Sequence, residues 1–438
     1  MSFPKKAIGF YTATSLVIAN MIGTGVFTSL GFQVLGIKSI FALLLLWLIG
    51  GVIALCGALS YGELGAAMPR SGGEYHYLSK IYHPAVGFLS GWVSALVGFS
   101  APVALAAMLL GGYASKVLPF LNPEIVASSV VVFLTIIHCV SLKTGGRFQN
   151  VFTSIKIILI VFIIIAGFLL GNHQHLQITP SLSAFHDIMS APFAIALFWV
   201  SYSYSGWNAS AYIAGEMETP QKTLPRSLFQ GTLFVTILYI LLNFIFLYST
   251  PIAEMAGQKE IGYISALHIF GETGGKIIGL VIALLLVSSV SSMIIAGPRV
   301  TQVMGEDNSM LKIFSITNNK GIPYIAIIFQ SFISLGMILT SSFEQVLIYV
   351  GFTLNIFTFL TVLGLFVLRI KKPDLIRPYK TWGYPVTPLI FLLVTLWILI
   401  YGFYMKRTES LIGLATVLTG LIVYLIGHKK QTYLNNAL

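Results

Sequence analysis

The chain has 438 residues, of which 56% are hydrophobic and only 9% are charged. A soluble domain carries roughly a quarter charged residues, so this composition argues against a soluble enzyme, a nucleic-acid-binding protein and a disordered chain. The formal net charge of +11 does not indicate nucleic acid, because the basic residues fall between long apolar runs. The composition instead predicts a polytopic membrane protein.

Apolar segments long enough to cross a bilayer recur along the whole chain. A helix needs about 20 mostly apolar residues to span the hydrocarbon core. The twelve segments that meet this requirement centre on residues 10–31, 39–62, 86–114, 124–142, 149–171, 189–213, 228–250, 274–298, 322–340, 344–369, 385–405 and 410–427. The loops between them are short, so residues 1–438 are predicted to form a single all-helical domain in the lipid bilayer.

The distribution of Lys and Arg predicts how the chain is oriented. With both termini in the cytoplasm, the inside segments contain 18 of these residues and the outside loops contain 6. Short loops rich in Lys and Arg stay cytoplasmic, so both termini are predicted to be cytoplasmic, in the plasma membrane or an inner membrane. No cleavable signal peptide is predicted. Cys56 and Cys139 both lie in predicted spans, so a disulfide framework is not expected.

The first and sixth spans are interrupted by residues that weaken a helix. Span one contains two glycines around a threonine in the run from Asn20 to Phe27, and span six contains the polar, aromatic run from Val200 to Asn208. If the chain consists of five helices, five helices and two more, these spans open its two halves. Interrupted segments at corresponding positions of two halves are typical of a transporter site built on inverted repeats.

Such interruptions favour a zwitterionic ligand. An unwound stretch leaves N–H groups at one half-helix end to meet a carboxylate, and carbonyl groups at the other end to meet a cation. A free amino acid fits both. Two alternatives stay open, since Gly23 and Gly25 are also compatible with close helix packing, and the serines and tyrosines of span six with hydrogen bonds between helices.

Short motifs follow one another from about residue 10 to residue 390. They are Ile22-Gly23-Thr24-Gly25-Val26-Phe27, Tyr61-Gly62-Glu63-Leu64-Gly65, Pro69-Arg70-Ser71-Gly72-Gly73-Glu74-Tyr75, Phe148-Gln149-Asn150-Val151-Phe152-Thr153, Tyr204-Ser205-Gly206-Trp207-Asn208, Thr219-Pro220 with Leu224-Pro225-Arg226, and Pro373-Asp374-Leu375 with Arg377-Pro378-Tyr379 and Gly383-Tyr384-Pro385-Val386. Together with Lys156 they resemble the amino acid–polyamine–organocation (APC) superfamily of transporters, and within it the neutral amino-acid exchangers and their bacterial relatives.

This resemblance implies a fold of twelve transmembrane helices. Two inverted five-helix repeats, with broken helices one and six, would occupy about residues 9–171 and 188–369, and two additional helices about 385–427. The family pattern also implies that span-one amides near Gly23, Thr24 and Gly25 hold the substrate carboxylate.

The resemblance assigns the substrate amine to carbonyl groups of both breaks. These would lie around Met21 and Ile22, and near Val200, Ser201 and Ser203. Tyr202 corresponds to the aromatic side chain that gates the substrate from outside. The run from Ser201 to Ser205 is richer in serine and tyrosine than the family's usual Phe-Ala-Tyr-Gly-Gly type of run, at positions that shape the pocket.

Lys156 is the one Lys or Arg placed well inside a predicted span. A charge at that depth indicates a function by default, although a lysine near a helix end can also reach the interface. In the family, a lysine here stands where sodium-coupled relatives bind an ion between spans one and eight. Ser291 and Ser292 are its expected neighbours in span eight. Proton coupling and obligatory exchange with a permanently charged lysine are both compatible with this role.

Other classes of protein receive little support. The sequence contains no Walker loop and no common hydrolase motif, a channel would need a continuous polar pore, and a membrane enzyme would need a titratable cluster. No cofactor and no metal site is predicted, because His173 and His175 have no Cys or carboxylate cluster to complete a ligand set.

The acidic residues decide between two substrate classes. Glu63, Glu74 and Glu216 are predicted to form a solvated charge cluster, with an inner gate as the alternative. A cationic amino-acid or polyamine exchanger would need an acidic residue in the pocket, and none lies near the breaks in sequence.

The predicted function is therefore secondary active transport of small or medium neutral amino acids by alternating access, as an exchanger or a proton symporter. The cationic amino-acid or polyamine exchanger is the alternative. The sequence leaves open the exact substrate, the direction of flux, a partner subunit and the oligomeric state.

Overall fold

Helices form almost all of the described chain. The computed structural model describes residues 8–140, 145–171, 174, 176 and 178–436, with side chains left out for 145–150 and 428–436. His173 and His175 lie outside the described residues. The described part contains no β-strand beyond a single bridge between Ile8 and Met217.

Seventeen α-helices follow one another along the described part of the chain. They are α1 (Phe10–Met21), α2 (Ser29–Gly36), α3 (Ile40–Ala67), α4 (Gly73–Ile81), α5 (Pro84–Val93), α6 (Ser100–Val117), α7 (Pro123–Val140), α8 (Gly145–Leu170), α9 (Leu182–Ile188), α10 (Ala191–Ser203), α11 (Pro220–Ser249), α12 (Ile252–Met255), α13 (Ile261–Asp307), α14 (Tyr324–Thr340), α15 (Phe343–Lys371), α16 (Val386–Met405) and α17 (Arg407–Asn436). Short 3₁₀ segments, Gly25–Phe27 and Ala209–Glu216, follow α1 and α10.

The described helices support the membrane prediction. Ten helical segments are long and apolar enough to cross a membrane, with α1 and its 3₁₀ continuation counted as one and α5 with α6 as another. The bent pair α9 and α10, which meet at 64°, makes eleven if it counts as one span. The shorter apolar helix α14 occupies the ninth predicted segment. The prediction of an all-helical, multi-pass membrane protein is confirmed. The count of twelve spans, the repeat boundaries and the orientation stay predictions.

Small residues let α3 approach its neighbours closely. A side chain at Gly50 would collide with Val200 and Tyr204 of the α10 region, and one at Gly51 with Thr236 of α11. Helices in lipid gain little from hydrophobic burial against one another, so close van der Waals packing at such positions is what holds them. The α7 and α17 helices are mostly exposed and apolar, which suits contact with lipid.

A hydrogen-bonded group of buried aromatic residues joins α3 to the breaks. The Trp47 indole donates to Gln33 Oε1 at 3.0 Å, and the Tyr204 hydroxyl donates to the Trp47 carbonyl at 3.0 Å. The Tyr239 hydroxyl donates to the Met21 carbonyl, where α1 ends. These bonds satisfy buried polar groups and position both interrupted helices against the same scaffold.

Candidate substrate cavity

The two interrupted segments meet in space. Beyond Met21, Ile22 has φ −74° and ψ 81°, which turns the Gly23 N–H back onto the Met21 carbonyl at 2.8 Å. After α10, Gly206 takes a φ of +94°, which a residue with a side chain rarely adopts, and packs directly on the backbone of Asn20. The end of α1 and the end of α10 therefore lie next to each other.

Side-chain contacts join the breaks directly. The hydroxyls of Thr24 and Tyr202 lie 3.2 Å apart, and those of Ser29 and Ser203 lie 2.8 Å apart. A Cβ on Gly25 would overlap Ser203, so the backbone there packs against α10 without spare room. These residues are buried, and they connect the first half of the sequence to the second.

A cavity of about 910 Å³ lies against both breaks. Eight of the ten residues predicted to bind substrate line it, namely Met21, Gly23, Thr24, Gly25, Ser201, Tyr202, Ser203 and Ser205. Ile22 and Val200 are not among the lining residues. The Val200 carbonyl already accepts from the Tyr204 N–H at 3.0 Å.

The exposed residues that line the cavity all lie near predicted cytoplasmic ends of spans. Arg299, Val303 and Glu306 line one end and are exposed there. At the other end α2 packs on α10, with the rings of Phe32 and Trp199 5.4 Å apart. The open end carries residues that the sequence predicts to be cytoplasmic.

The breaks offer N–H groups to an anion. Thr24 and Gly25 begin a 3₁₀ segment, and the first N–H groups of a helix have no partner within it. A helix N-terminus is a favourable place for a carboxylate because its N–H groups and dipole attract negative charge. The Gly23 N–H, by contrast, is already bonded to Met21.

The carbonyls at the end of α1 have donors from the protein itself. The Met21 carbonyl accepts from Tyr239 and from Gly23, and the Ile22 carbonyl accepts from Lys156 Nζ at 3.4 Å. A carbonyl oxygen has two lone pairs, so Met21 is fully occupied. The Met21 carbonyl therefore has no lone pair left for the predicted amine contact, whereas the Ile22 carbonyl keeps one.

Lys156 lies in the interior, with 4% of its surface exposed. Its ammonium donates to Ser289 Oγ at 2.7 Å and to the Ile22 carbonyl, so it joins α8 to α13 and to the first break. The structure corrects the predicted contact with Ser291 and Ser292. Ser291 Oγ lies 2.8 Å from His138 Nε2, and Ser292 donates to the Ser289 carbonyl at 2.9 Å and lines the cavity.

The prediction of a solvated acidic cluster is wrong for Glu63. This residue is 1% exposed, and Arg369 binds its two oxygens at 2.9 and 2.6 Å. Arg377 lies 3.4 Å away, and the Thr381 N–H donates at 2.8 Å. Two cations from α15 and the following loop therefore neutralise this buried carboxylate.

The same prediction is wrong for Glu74. This residue is 4% exposed and lines the cavity. Its Oε1 accepts from Tyr61 at 2.9 Å and from the Asn208 amide at 2.6 Å. Asn208 follows the second break by two residues, so an acidic side chain does lie beside the breaks. Sequence reasoning missed it because the two residues are 134 positions apart.

Histidine 76, on the short helix α4, is held neutral. Burial, with the positive charges of Arg70 and Lys80 nearby, lowers the pKa of His76 to about 4. Among the described residues no group of three or more His, Cys, Asp or Glu side chains could hold a metal ion.

The sequence is similar to known transporters along nearly its whole length. Residues 8–426 match the amino acid permease family. The chain is 31% identical to the mouse large neutral amino acids transporter small subunit 2, over 98% of this chain and 83% of that protein. It is 30% identical to the serine/threonine exchanger SteT of Bacillus subtilis, over 98% of each. It is 27% identical to the mouse b(0,+)-type amino acid transporter 1, over 96% and 88%.

Proposed function

The chain belongs to the amino acid permease family, and we propose that it exchanges small or medium neutral amino acids across the cell membrane by alternating access, or carries them in symport with protons. Its relatives are transporters, so the prediction that it is not an enzyme is confirmed. The observation that carries the proposal is a cavity that is lined by both helix breaks and by exposed residues near predicted cytoplasmic ends of spans. We further propose twelve spans in two inverted repeats, with both termini cytoplasmic.

In the proposed binding mode, each break holds one charged group of the amino acid. The carboxylate bonds to the N–H groups of Thr24 and Gly25, beside Gly23. The amine bonds to the carbonyls of Ser201 and Ser203, because the last turn of a helix leaves carbonyls without partners in it. Met21 acts through the backbone that it shapes, since its carbonyl already accepts two protein hydrogen bonds, whereas the carbonyls of Ile22 and Val200 each accept one and keep a lone pair for the amine.

Tyr202 and Ser205 complete the proposed pocket. The Tyr202 hydroxyl meets that of Thr24 next to the contact of Ser203 with Ser29, where α2 packs on α10, so we assign Tyr202 the role of separating the substrate from the α2 side of the cavity. The hydroxyls of Ser201 and Ser205 in the cavity wall favour a small side chain that can accept or donate a hydrogen bond.

In the proposed coupling mechanism, the Lys156 ammonium takes the place of a bound cation. It ties the first break to α13 through Ser289, with Ser291 and Ser292 in the same stretch of helix. A permanently charged Lys156 gives exchange, and a Lys156 that loses its proton during the cycle gives proton symport.

The alternative, a cationic amino-acid or polyamine exchanger, is favoured by one observation. Glu74 supplies the acidic residue in the cavity that this substrate class needs. The similarity to a b(0,+)-type amino acid transporter also supports this class of substrate.

Counterflow in proteoliposomes tests these proposals. Vesicles that contain the purified chain are loaded with unlabelled amino acids, and the entry of labelled alanine, serine, leucine and arginine is followed at equal and at acidic outside pH. Uptake of alanine or serine that needs internal substrate supports neutral exchange. Uptake into empty vesicles driven by outside acid supports proton symport, preferential uptake of arginine supports the alternative, and no uptake of any amino acid contradicts the function.

A further inference from the structure

Glu74 is a buried carboxylate without a cation. No ion pair of the described residues includes it. Its hydrogen-bond donors, Tyr61 and Asn208, are neutral, as is Tyr212, which lies beside the same carboxylate. The second oxygen, Oε2, is buried and has no hydrogen-bond partner. A charge removed from water in this way is costly unless it is paired.

The backbone around Glu74 stabilises its negative charge. Glu74 lies in the first turn of α4, a helix of nine residues that begins after Gly72 and Gly73, both with positive φ. The N-terminus of a helix favours a carboxylate through its dipole. Glu74 therefore lies in the cavity wall at a helix N-terminus, with a buried Oε2 that has no hydrogen-bond partner.

The position of Glu74 relates it to the path of the substrate. Its donor Asn208 is three residues after Ser205 of the proposed pocket, a distance of at most about 11 Å along the chain. Glu74 lines the same cavity as Ser205. An ammonium group that moves from the helix breaks along this cavity therefore comes near a carboxylate whose buried Oε2 has no hydrogen-bond partner, and a small turn of the side chain would present that oxygen to it.

We propose that Glu74 is an ammonium-binding site in the wall of the cavity, distinct from the helix breaks, which holds the amine of the amino acid as it enters or leaves through the open end. This inference rests on the proposed transport function. The site is proposed to be reached from one face of the membrane, because the exposed residues that line the cavity, Arg299, Val303 and Glu306 among them, all lie near predicted cytoplasmic ends of spans.

The test compares the two faces of the full chain in proteoliposomes. The KM for labelled serine is measured at each face for the wild type, for Glu74→Gln and for Glu74→Asp. Glu218→Gln is the matched control, because Glu218 is exposed and is not among the residues that line the cavity. Loss of a charged hydrogen-bond partner raises the KM of Glu74→Gln at the open face by about tenfold. The KM at the other face, and both values of the control, change by less than about twofold.

A second measurement uses the wild type alone and so does not depend on how the variants fold. Ethanolamine, which carries an ammonium group and no carboxylate, is added at one face during serine exchange. It competes with serine at the open face and not at the closed face.

The source of the ammonium is distinguished by repeating the KM measurement with lysine. If Glu74→Gln raises the KM for serine and lysine alike, the site binds the α-ammonium group. If it raises the KM for lysine alone, the site binds the side-chain ammonium. The proposal is overturned if the KM of Glu74→Gln for serine and for lysine is unchanged at the open face, or if it changes equally at both faces. It is also overturned if ethanolamine does not compete with serine, or competes equally from both sides. Failure of the proposed function is separate, since the wild type would then exchange no amino acid.

Discussion

Two buried carboxylates lie eleven positions apart in the sequence and are treated differently by the fold. Glu63 receives two arginines and a backbone N–H, whereas Glu74 receives neutral donors and keeps one oxygen without a partner. Glu63 is not among the residues that line the cavity, and Glu74 is. Glu63, whose charge is compensated by two arginines, connects helices to one another. Glu74, whose charge has no such compensation and which lines the cavity, is suited to bind a ligand.

The largest expected effect concerns stability. Glu63→Gln leaves Arg369 and Arg377 without their counter-charge, which costs about 3–5 kcal/mol for a buried pair. We expect a strongly lowered melting temperature of the detergent-purified protein. Glu74→Gln, which breaks no ion pair, is the matched control and should melt much closer to the wild type. Equal losses in the two variants would remove the distinction between the carboxylates.

A third buried charge, Lys156, extends the comparison to a cation without a carboxylate. Its ammonium donates hydrogen bonds to Ser289 and Ile22, and a hydrogen bond from a charged donor contributes about 1.5–3 kcal/mol to stability. Lys156→Ala should therefore lower the exchange rate by about tenfold or more, measured by counterflow. Ser289→Ala, which removes only the hydroxyl partner, should have a smaller effect. An unchanged rate with an unchanged pH response in Lys156→Ala would contradict its role.

The contact between Tyr202 and Thr24 shows what a neutral bond contributes beside these charges. A neutral hydrogen bond is worth about 1 kcal/mol, so Tyr202→Phe should raise the KM for serine by about fivefold. Thr24→Val supplies the second arm of a double-mutant cycle. If the contact matters, the double variant is no worse than the more affected single variant. Strictly additive effects would show that the two hydroxyls act independently.

The smallest effect concerns His76, which shares α4 with Glu74 and avoids the cost of burial by staying neutral. Its native pKa of about 4 lies below the ordinary value of 6.5, so the unfolded chain binds more protons between these pH values. Stability is therefore complete above about pH 6.5 and is lost as the pH falls toward 4. His76→Gln should reduce the drop in melting temperature between pH 7 and pH 4.5. An identical drop in both proteins would show that another group controls it.

Local signals in the sequence were enough to locate the breaks. The glycines at 23 and 25, the run from Ser201 to Ser205 and the buried Lys156 each disagree with an ordinary lipid-facing helix, so they could be recognised from their neighbours in the chain. The contact of Lys156 was harder to predict. Ser289, not Ser291 or Ser292, faces it, because the rotation of α13 about its axis depends on packing.

Glu74 could not be predicted as part of the cavity from sequence spacing. Its contact with Asn208 crosses 134 positions, and a carboxylate between Arg70 and Lys80 is typical of a solvated loop. The span count also depended on tertiary structure, since α9 and α10 bend by 64° and α14 has only 17 residues.

The tight approach of Gly25 to Ser203 has a consequence for the balance between conformations. Because no space separates the two segments, a change of a single hydroxyl or methyl group there alters the free energy of this conformation, and in the proposed alternating-access cycle it would alter a conformation in which the segments part much less. A ligand or mutation shifts such an equilibrium only by its difference in free energy between the two states. In that cycle, the affinity measured from each face of the membrane is tuned by a few atoms at the contact between the two breaks.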